Sequence, residues 1–445
     1  MSLAYRPDET SPFVRAFLDD RGLSGSSGLD LAIDERDEML GFLVDGMEGD
    51  RDKALFAYFR SGLSIADALL QVLRWRFPEG IGNVLDFASG YGRITRFLVR
   101  EIQPESLWVA DVYAEGVRFQ EERFGVHGVV STVQPEDLEL GETFDAILVT
   151  SLFTHLPEER FLAWLRVLFA RLNPGGVIAF STHDPGLLVP RPPMPESGLL
   201  FQEISESGSL DTSDYGSTWV TEAFVRGAVA RVAPSASVHR LERGLCNFQD
   251  LYVTVLEPGV DFSGLRYTGE PELWLERCGI AGQGRLEMRG WAVARTGEVE
   301  AVEVALDGRL LAELPVAYPR PDVAGLLGEP RYLRSGWGGT FAVPPGTSRG
   351  SSVLVIRVRD GQGTSHLLRA GSVESLLLES ARNEVSVLHR DLRTAGERLA
   401  EVQAHAEAEI EGLRARIAAM ESSCFWKMRN AWFRLKRGMG LTHED

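Results

Sequence analysis

Cysteine is scarce in this sequence, where Cys246, Cys278 and Cys424 are the only three among 445 residues. They lie far apart, so their spacing forms neither a metal-ligand motif nor a disulfide framework. A reducing, cytoplasmic environment is therefore the default expectation. The histidine and carboxylate residues have no metal-ligand spacing either, and the sequence predicts no bound metal.

Long apolar runs are also missing. No stretch approaches the ~18 consecutive apolar residues of a transmembrane helix, and residues 1–13 lack the apolar segment of a signal peptide. Positive charge is in short supply as well, since the formal net charge is −18 at pH 7. Proteins that bind nucleic acid usually present a basic face, so this balance argues against a nucleic-acid partner. The sequence predicts a cytoplasmic protein that is soluble, or at most peripheral at the inner membrane.

Hydrophobic residues, at 44%, are abundant enough for several folded cores, and 445 residues predict two or three domains. Residues 1–54 are predicted to be a polar, partly helical N-terminal extension. From 55 to 257, strand and helix patterns alternate, which predicts an α/β domain with a doubly wound, mostly parallel, Rossmann-like sheet. Within it, residues 184–220 are rich in Pro, Gly and Ser and too long for a simple connection, so they are predicted to form a lid or acceptor loop.

The individual elements of this domain follow from the same patterns. Strands are predicted at 83–87, 106–111, 126–133, 144–150, 176–181 and 251–256. Helices are predicted at 93–102, 114–124 and 158–172.

After a linker at 258–271, residues 272–370 show short alternating apolar runs separated by turn signals. Asp307-Gly308 and Asp360-Gly361 suit tight hairpins. An all-β, immunoglobulin-like sandwich is therefore predicted.

Apolar residues recur every seven positions in 373–420, at Leu378, Val385, Leu392, Leu399, Ala406, Leu413 and Met420. This spacing predicts a long coiled-coil helix that makes the chain a homo-oligomer, with a helix packed on its own domain as the alternative. Within the tail at 421–445, residues 422–440 carry five basic side chains, several aromatic ones and no acid. That composition suits an anionic membrane surface, and equally a docking segment for a protein such as a glycosyltransferase.

A turn of small residues at 88–92 separates a predicted buried strand from a predicted helix. Small residues let backbone N–H groups approach a ligand at the positive end of a helix, which indicates a nucleotide-type pocket. Asp111 ends the next strand and is placed to accept hydrogen bonds from ribose hydroxyls. Capping of the following helix is the alternative role for this residue. Polar residues at 134–137 follow the third strand, where an adenine is expected.

Four landmarks occur in order along the chain: Asp86-Phe87-Ala88-Ser89-Gly90-Tyr91-Gly92, then Asp111, Phe144-Asp145 and Asn173-Pro174-Gly175-Gly176. Together they resemble the class I S-adenosylmethionine-dependent methyltransferases, over roughly residues 55–257. Ala88 departs from that family, which usually has its first glycine there. The resemblance implies S-adenosyl-L-methionine as cofactor. The residues implied to bind it are Tyr58, Arg60, Asp86, Ala88, Ser89, Gly90, Gly92, Asp111, Pro135, Glu136 and Thr150.

Residues 58–62, 90–96 and 151–165 more narrowly resemble a bacterial branch of these enzymes associated with surface-polysaccharide and glycan biosynthesis. The order of sandwich, coiled coil and a tail with Ser423, Trp426 and Arg429 is similar to bacterial glycan-assembly proteins. These resemblances imply O-methylation of a sugar hydroxyl in a surface polysaccharide or its lipid-linked precursor. The alternatives are a small-metabolite, lipid or protein acceptor, and a non-catalytic scaffold.

A hydroxyl acceptor must lose a proton during methyl transfer, so a base is expected at the carboxyl ends of the strands. His155 follows the fourth predicted strand and His183 the fifth, and either could titrate near working pH. The alternative roles are a helix-start contact with the cofactor for His155 and loop anchoring for His183. Further candidates to contact the acceptor are Asp184, Glu203, Asp214, Tyr215, Trp219, Gln249 and Asp250.

Overall fold

The computed structural model describes residues 11–25, 29–190, 192–205 and 207–439. The expectations for residues 1–10 and for the last residues of the tail, 440–445, lie outside this described part. The chain divides into two units, one ending at Leu377 and one beginning at Leu378.

Among the described residues, three helices precede the first strand: α1 (Pro12–Asp20), α2 (Glu38–Gly46) and α3 (Arg51–Arg76). Ser11, Asp37 and Asp50 begin them, and each side chain accepts a hydrogen bond from a first-turn backbone N–H. Helix α1 lies near the start of the predicted polar, partly helical extension. It forms because one of its faces is apolar and buried, at Phe13, Val14, Phe17 and Leu18.

The described part of the α/β domain contains nine strands: β1 (Val84–Phe87), β2 (Leu107–Asp111), β3 (His127–Val130), β4 (Phe144–Val149), β5 (Leu172–Thr182), β6 (Leu199–Gln202), β7 (Ser217–Val220), β8 (Ser237–Leu245) and β9 (Gln249–Val255). Seven of them form one sheet in the order β3-β2-β1-β4-β5-β9-β8. Strands β1 to β5 pair in parallel, and β9 and β8 add on antiparallel. The predicted doubly wound, mostly parallel sheet is confirmed. Strands β6 and β7 form a separate antiparallel pair.

Helices α4 (Thr95–Leu98), α5 (Ala114–Phe124), α6 (Glu158–Phe169) and α7 (Glu222–Val232) complete this domain. Successive residues of β4 point to opposite faces, so Leu148 belongs to one apolar core and Ile147 and Val149 to the other. Helix α4 is shorter than the predicted 93–102, since turns occupy residues 91–94 and 99–101. The carboxyl ends of β1, β2 and β4 meet at one edge of the sheet.

Residues 272–372 form two antiparallel sheets from β10 (Glu272–Ala281), β11 (Arg285–Val293), β12 (Val299–Leu306), β13 (Arg309–Pro315), β14 (Gly336–Phe341), β15 (Val353–Asp360) and β16 (Ser365–Ser372). The strand orders are β10-β11-β14 and β13-β12-β15-β16. A shared core containing Met288, Val302 and Trp337 fills the space between the sheets, which confirms the predicted all-β segment. A short helix, α8 (Pro321–Leu327), was not predicted.

The four-stranded sheet of this sandwich packs against the N-terminal helices. Its Ala305, Val355 and Leu367 belong to the same apolar cluster as α1 and α3. The guanidinium of Arg357 donates to the carboxylate of Asp20 at the end of α1. The sandwich and the α/β domain therefore form one packed unit.

A long helix, α9 (Val373–Ser422), spans 50 residues, and α10 (Cys424–Gly438) follows it. At 1.5 Å per residue α9 extends about 75 Å, as the predicted long helix requires. Ser423 separates the two helices, and its side chain accepts a hydrogen bond from the backbone N–H of Trp426. None of the helices in the described part of the chain has the length and apolar character needed to cross a bilayer.

Candidate active site

A cavity of about 400 Å³ lies at the carboxyl ends of β1, β2 and β4. The strand order reverses at this point, because β1 has the later β4 on one side and β2 on the other. Such a switch point is where open α/β sheets bind ligands. Five of the predicted cofactor-binding residues line the cavity: Ala88, Ser89, Gly90, Asp111 and Thr150.

The loop after β1 depends on left-handed backbone. Ala88, Gly90 and Gly92 have φ values of 59°, 57° and 75°. A Cβ on Gly92 would lie 2.4 Å from the ring of Phe124, whereas a Cβ on Gly90 would meet no atom within 4 Å. Gly92 is therefore required by packing, and Gly90 leaves open space beside the loop. The left-handed backbone conformation costs free energy for a residue with a Cβ atom such as Ala88, and a glycine at this position would avoid that cost.

Asp111 holds this loop in place. Its carboxylate accepts hydrogen bonds from the backbone N–H of Gly90 at 2.7 Å and from that of Tyr113 at 3.0 Å. Tyr113 is the N-cap residue of α5, and its side chain makes no capping hydrogen bond. The Asp111 carboxylate therefore bonds to the N–H of the N-cap residue ahead of α5, and it also lines the cavity.

Asp86 lies beneath the loop and does not line the cavity. The Thr95 hydroxyl is 2.7 Å from both Asp86 Oδ2 and Gln120 Oε1. The Gln120 amide donates to Ser89 Oγ and to the Gly90 carbonyl, so its oxygen must be the atom that faces Thr95. Because the hydroxyl has one proton to give to two acceptors, a protonated Asp86 completes the network. Burial raises the pKa of Asp86 to about 7, in agreement with this arrangement.

Replacing Asp86 by asparagine should change how stability depends on pH. The folded chain keeps a proton on Asp86 up to about pH 7, whereas the unfolded chain loses it near pH 4. Wild-type stability should therefore fall by roughly 2 to 3 kcal/mol between pH 5 and pH 8 from this group alone, and Asp86→Asn should remove that fall. Urea unfolding of both proteins at the two pH values measures the difference. Asp137→Asn, on an exposed residue, is the control. An identical pH dependence of wild type and Asp86→Asn would contradict a protonated Asp86.

The N-terminal extension supplies one wall of the cavity, through Asp37, Glu38 and Met39. Glu38 accepts hydrogen bonds from the Tyr113 hydroxyl at 3.1 Å and from Ser209 Oγ at 3.0 Å. These bonds connect α2, the end of β2 and the predicted lid across the cavity. The sequence placed residues 1–54 outside the α/β domain and gave no signal that they reach the site.

Tyr58 and Arg60, predicted to bind the cofactor, do not line the cavity. Tyr58 is fully buried, and its hydroxyl donates to the Asp37 carboxylate. The Arg96 guanidinium lies 5.5 Å from the Tyr58 ring and donates to the carbonyl of Gly92. Arg60 points to the sandwich side, where it donates to Glu270 at 2.7 Å. Tyr58 therefore supports the site from beneath, and Arg60 belongs to the domain interface.

The predicted lid at 184–220 contributes a polar wall: Ser207, Ser209, Leu210, Asp211, Asp214 and Tyr215. Asp184, Glu203 and Trp219 do not line the cavity. Asp214 pairs with Arg160 at 3.2 Å, and Arg160 also donates to Gln134 after β3. Pro135 and Glu136 lie outside the lining, where Thr132 and Val133 take their place.

His155 and His183 lie behind the cavity wall. His155 Nδ1 is 2.7 Å from the carbonyl of Gly216, so Nδ1 carries the proton, and its ring stacks on Tyr215 with centroids 4.4 Å apart. His183 Nε2 is 3.5 Å from the Gln249 amide nitrogen. Burial lowers the pKa of both imidazoles, that of His183 to about 4. Both rings are therefore neutral at pH 7, and neither faces the cavity directly.

Ser151, which the sequence did not single out, lines the cavity directly after β4 with a left-handed φ of 62°. Its N–H donates to Ser181 Oγ at 2.8 Å, and its hydroxyl lies 3.1 Å from the Gln249 amide nitrogen. Strained backbone held by its surroundings is typical of functional sites. Through Gln249, Ser151 connects the cavity with His183.

Acidic side chains outnumber basic ones among the described lining residues, which include Asp37, Glu38, Asp111, Asp211 and Asp214 against Arg93 and Arg160. A ligand with positive charge is therefore favoured over an anionic one. Residues 56–213, which contain most of this lining, match a family model described as a methyltransferase domain. This part of the chain is a methyltransferase domain.

Several solved structures resemble the methyltransferase domain. An amino pentose methyltransferase from Micromonospora echinaspora is 16% identical, with 44% of this chain and 91% of that chain covered and a TM-score of 0.33. A sugar N-methyltransferase from Streptoalloteichus is 17% identical, with 44% and 88% covered and a TM-score of 0.34. An O-methyltransferase family protein from Burkholderia thailandensis is 14% identical, with 56% and 71% covered and a TM-score of 0.35. No curated protein sequence matches the chain.

Proposed function

We propose that this chain transfers the methyl group of S-adenosylmethionine to a sugar hydroxyl of a bacterial surface glycan or its lipid-linked precursor. One observation supports S-adenosylmethionine as the cofactor. The cavity at the point where the strand order reverses is lined by the Gly90 loop, by Asp111 and by further acidic side chains. The acceptor class follows from the resemblance to glycan-associated methyltransferases and from the polar lid.

The residues present fit the cofactor. Asp111 keeps lone pairs for a ribose diol while its carboxylate is fixed by two backbone N–H groups. The space beside Gly90 admits the close approach of a ligand to the backbone. Asp37 and Glu38 favour the positive charges of a sulfonium and an ammonium group. When bound, S-adenosylmethionine supplies a methyl group that its positively charged sulfur has already activated.

Among the described residues, three are candidates to accept the proton of a hydroxyl substrate. Asp214 lines the cavity beside its partner Arg160, so it reaches an acceptor directly. His155 has an unprotonated Nε2, because Gly216 holds its proton on Nδ1, but Tyr215 must move before it meets the substrate. His183 acts on the cavity only through Gln249 and Ser151. Asp214 is therefore the base we favour, with His155 as the alternative.

An amine acceptor is a second candidate, favoured by one observation. Asp211 and Asp214 lie on the lid side of the cavity, where carboxylates attract an amino group. An N-methylated amino sugar would then be the product. A small metabolite, a lipid or a protein side chain remains a further option for the acceptor.

Methyl transfer is tested with the full-length protein, S-adenosylmethionine and glycan isolated from a strain that lacks this gene. Mass spectrometry should show the mass gain of one methyl group, and NMR should place it on oxygen. A methyl group on nitrogen would support the amine acceptor instead. Calorimetry decides the scaffold alternative, because a protein that binds no S-adenosylmethionine cannot be this enzyme.

We also propose that the two C-terminal helices localise and assemble the enzyme. The seam residues of α9 from Leu378 onward are exposed in a single chain, among them Leu392 at 72%, so a second copy would bury them. Helix α10 presents Phe425, Met428, Trp432 and Leu435 at spacings of three and four residues. Its other positions include five basic side chains and no acid. An anionic membrane surface suits this helix.

A further inference from the structure

A second cavity, of about 330 Å³, lies between the methyltransferase domain and the sandwich. Helix α3 and the turn between β8 and β9 form one side of it. The segment 267–270 and the turn between β15 and β16 form the other side. None of the described residues lines both this cavity and the one beside Gly90. It is therefore a separate space that exists only because the two domains are packed together.

The lining is polar and its charges balance. The arginines are Arg21, Arg74 and Arg243, and the carboxylates are Asp67, Glu270 and Asp360. Most of the other lining residues carry amide, hydroxyl or imidazole groups: Ser64, Gln71, Asn247, Tyr267, Thr268, Gln362, Thr364 and His366. An anion would need an excess of positive charge, and an apolar ligand would need an apolar wall. A neutral molecule with many hydroxyl groups fits both donors and acceptors.

Hydrogen bonds between lining residues hold the walls of the cavity in place and leave its interior open. Gln71 clamps the backbone of Thr268, accepting from its N–H at 2.8 Å and donating to its carbonyl at 3.1 Å. Asn247 donates to the carbonyl of Glu270 at 2.9 Å. His366 Nε2 lies 3.1 Å from Asp360 Oδ2. Each domain thus presents a preorganised surface to the space between them.

Two polar groups at this cavity have no side-chain hydrogen-bond partner among the described residues. The Asp67 carboxylate makes neither a hydrogen bond nor an ion pair within that part of the chain. The Arg21 Nε atom is buried and has no hydrogen-bond acceptor, since the nearest carboxylate, that of Asp20, forms only an ion pair with it at 3.9 Å. A carboxylate acceptor and a guanidinium donor lining one cavity form the pair of contacts that adjacent sugar hydroxyls satisfy.

We propose that the cavity between the two domains binds a neutral saccharide, with Asp67 and Arg21 among its contacts. This site is distinct from the methyl-transfer site, and the proposal does not depend on methyl transfer. A saccharide held there would contact both domains at once, through α3 on one side and the β15–β16 turn on the other.

The test measures saccharide binding by the full-length protein in the absence of S-adenosylmethionine. A panel of neutral and acidic oligosaccharides, the corresponding free monosaccharides, inorganic phosphate and adenosine monophosphate is titrated by calorimetry. At least one neutral oligosaccharide or monosaccharide should bind, which also separates a chain-length requirement from recognition of one sugar. Binding of only the anionic probes, or of none, would overturn the proposal.

Two variants locate the binding. Asp67→Asn removes the free carboxylate with little change of shape and should weaken saccharide binding at least tenfold, whereas Glu79→Gln, on an exposed residue, should leave it unchanged. Thr364→Trp fills the cavity from an exposed turn of the sandwich and should abolish binding without touching either core. If both Asp67→Asn and Thr364→Trp bind as wild type does, the saccharide occupies another place and the inference is wrong.

Discussion

Replacing Asp111 by asparagine should weaken S-adenosylmethionine binding by roughly tenfold to a hundredfold. Both carboxylate oxygens of Asp111 already accept backbone N–H groups, from Gly90 and Tyr113. An amide has only one oxygen, so its NH₂ group would face one of those donors. Hydrogen bonds to a charged group contribute about 1.5 to 3 kcal/mol each, and the loop would lose one while the ribose loses its acceptor.

Calorimetry with S-adenosylmethionine measures this loss, and circular dichroism checks that the variant is folded. Asp137→Asn makes the same change of charge on an exposed residue that does not line the cavity, so its affinity should equal that of the wild type. An affinity of Asp111→Asn within twofold of the wild type would show that the cofactor lies elsewhere.

Ending the chain after Leu377 should convert an oligomer of two or three copies into a monomer. The seam residues of α9 are strongly exposed in a single chain: Leu378 at 55%, Leu392 at 72%, Leu399 at 58% and Leu413 at 49%. Burying such a side chain contributes about 1.5 to 3 kcal/mol. The free energy of burying several such side chains on each copy exceeds the free-energy cost of association at micromolar concentration. Light scattering of the purified protein measures the mass directly.

A second truncation, after Ser422, separates the two C-terminal helices. It keeps the seam, so the oligomer should persist, and it removes α10. Flotation with vesicles containing anionic lipid should then be lost, while neutral vesicles should bind neither protein. A full-length chain that is monomeric, or a truncation at Leu377 that keeps the mass per particle, would contradict the coiled coil.

The elements that local pattern determines were predicted well. Helix α5 begins and ends where the sequence placed it, because Gly125 takes the left-handed conformation that stops a helix. The sequence also indicated that the loop at 88–92 and Asp111 lie close together, since both follow neighbouring strands of a parallel sheet. Strand β8 was missed because it is a polar edge strand, paired with β9 alone.

The remaining parts of the site depend on contacts between distant segments. Glu38 reaches the cavity from the N-terminal extension, and Ser209 reaches it from the lid. The local sequence around Glu38 or Ser209 contains no pattern that predicts the hydrogen bond between them. The strand ends correctly located His155 and His183 near the site, but strand position does not tell which ring is covered by another side chain. Tyr215 covers His155 for a reason visible only in three dimensions.

Helix α1 carries a consequence for how the protein is made. Its Asp20 pairs with Arg357, which lies 337 positions later in the chain. At ~5 to 20 residues per second, a ribosome takes roughly 15 to 70 s to synthesise the intervening polypeptide. During that time the surface of α1 that packs on the sandwich has no partner. The nascent chain therefore exposes an N-terminal helix that can associate with other chains for much of its translation. A chaperone that covers this helix should raise the yield of folded enzyme.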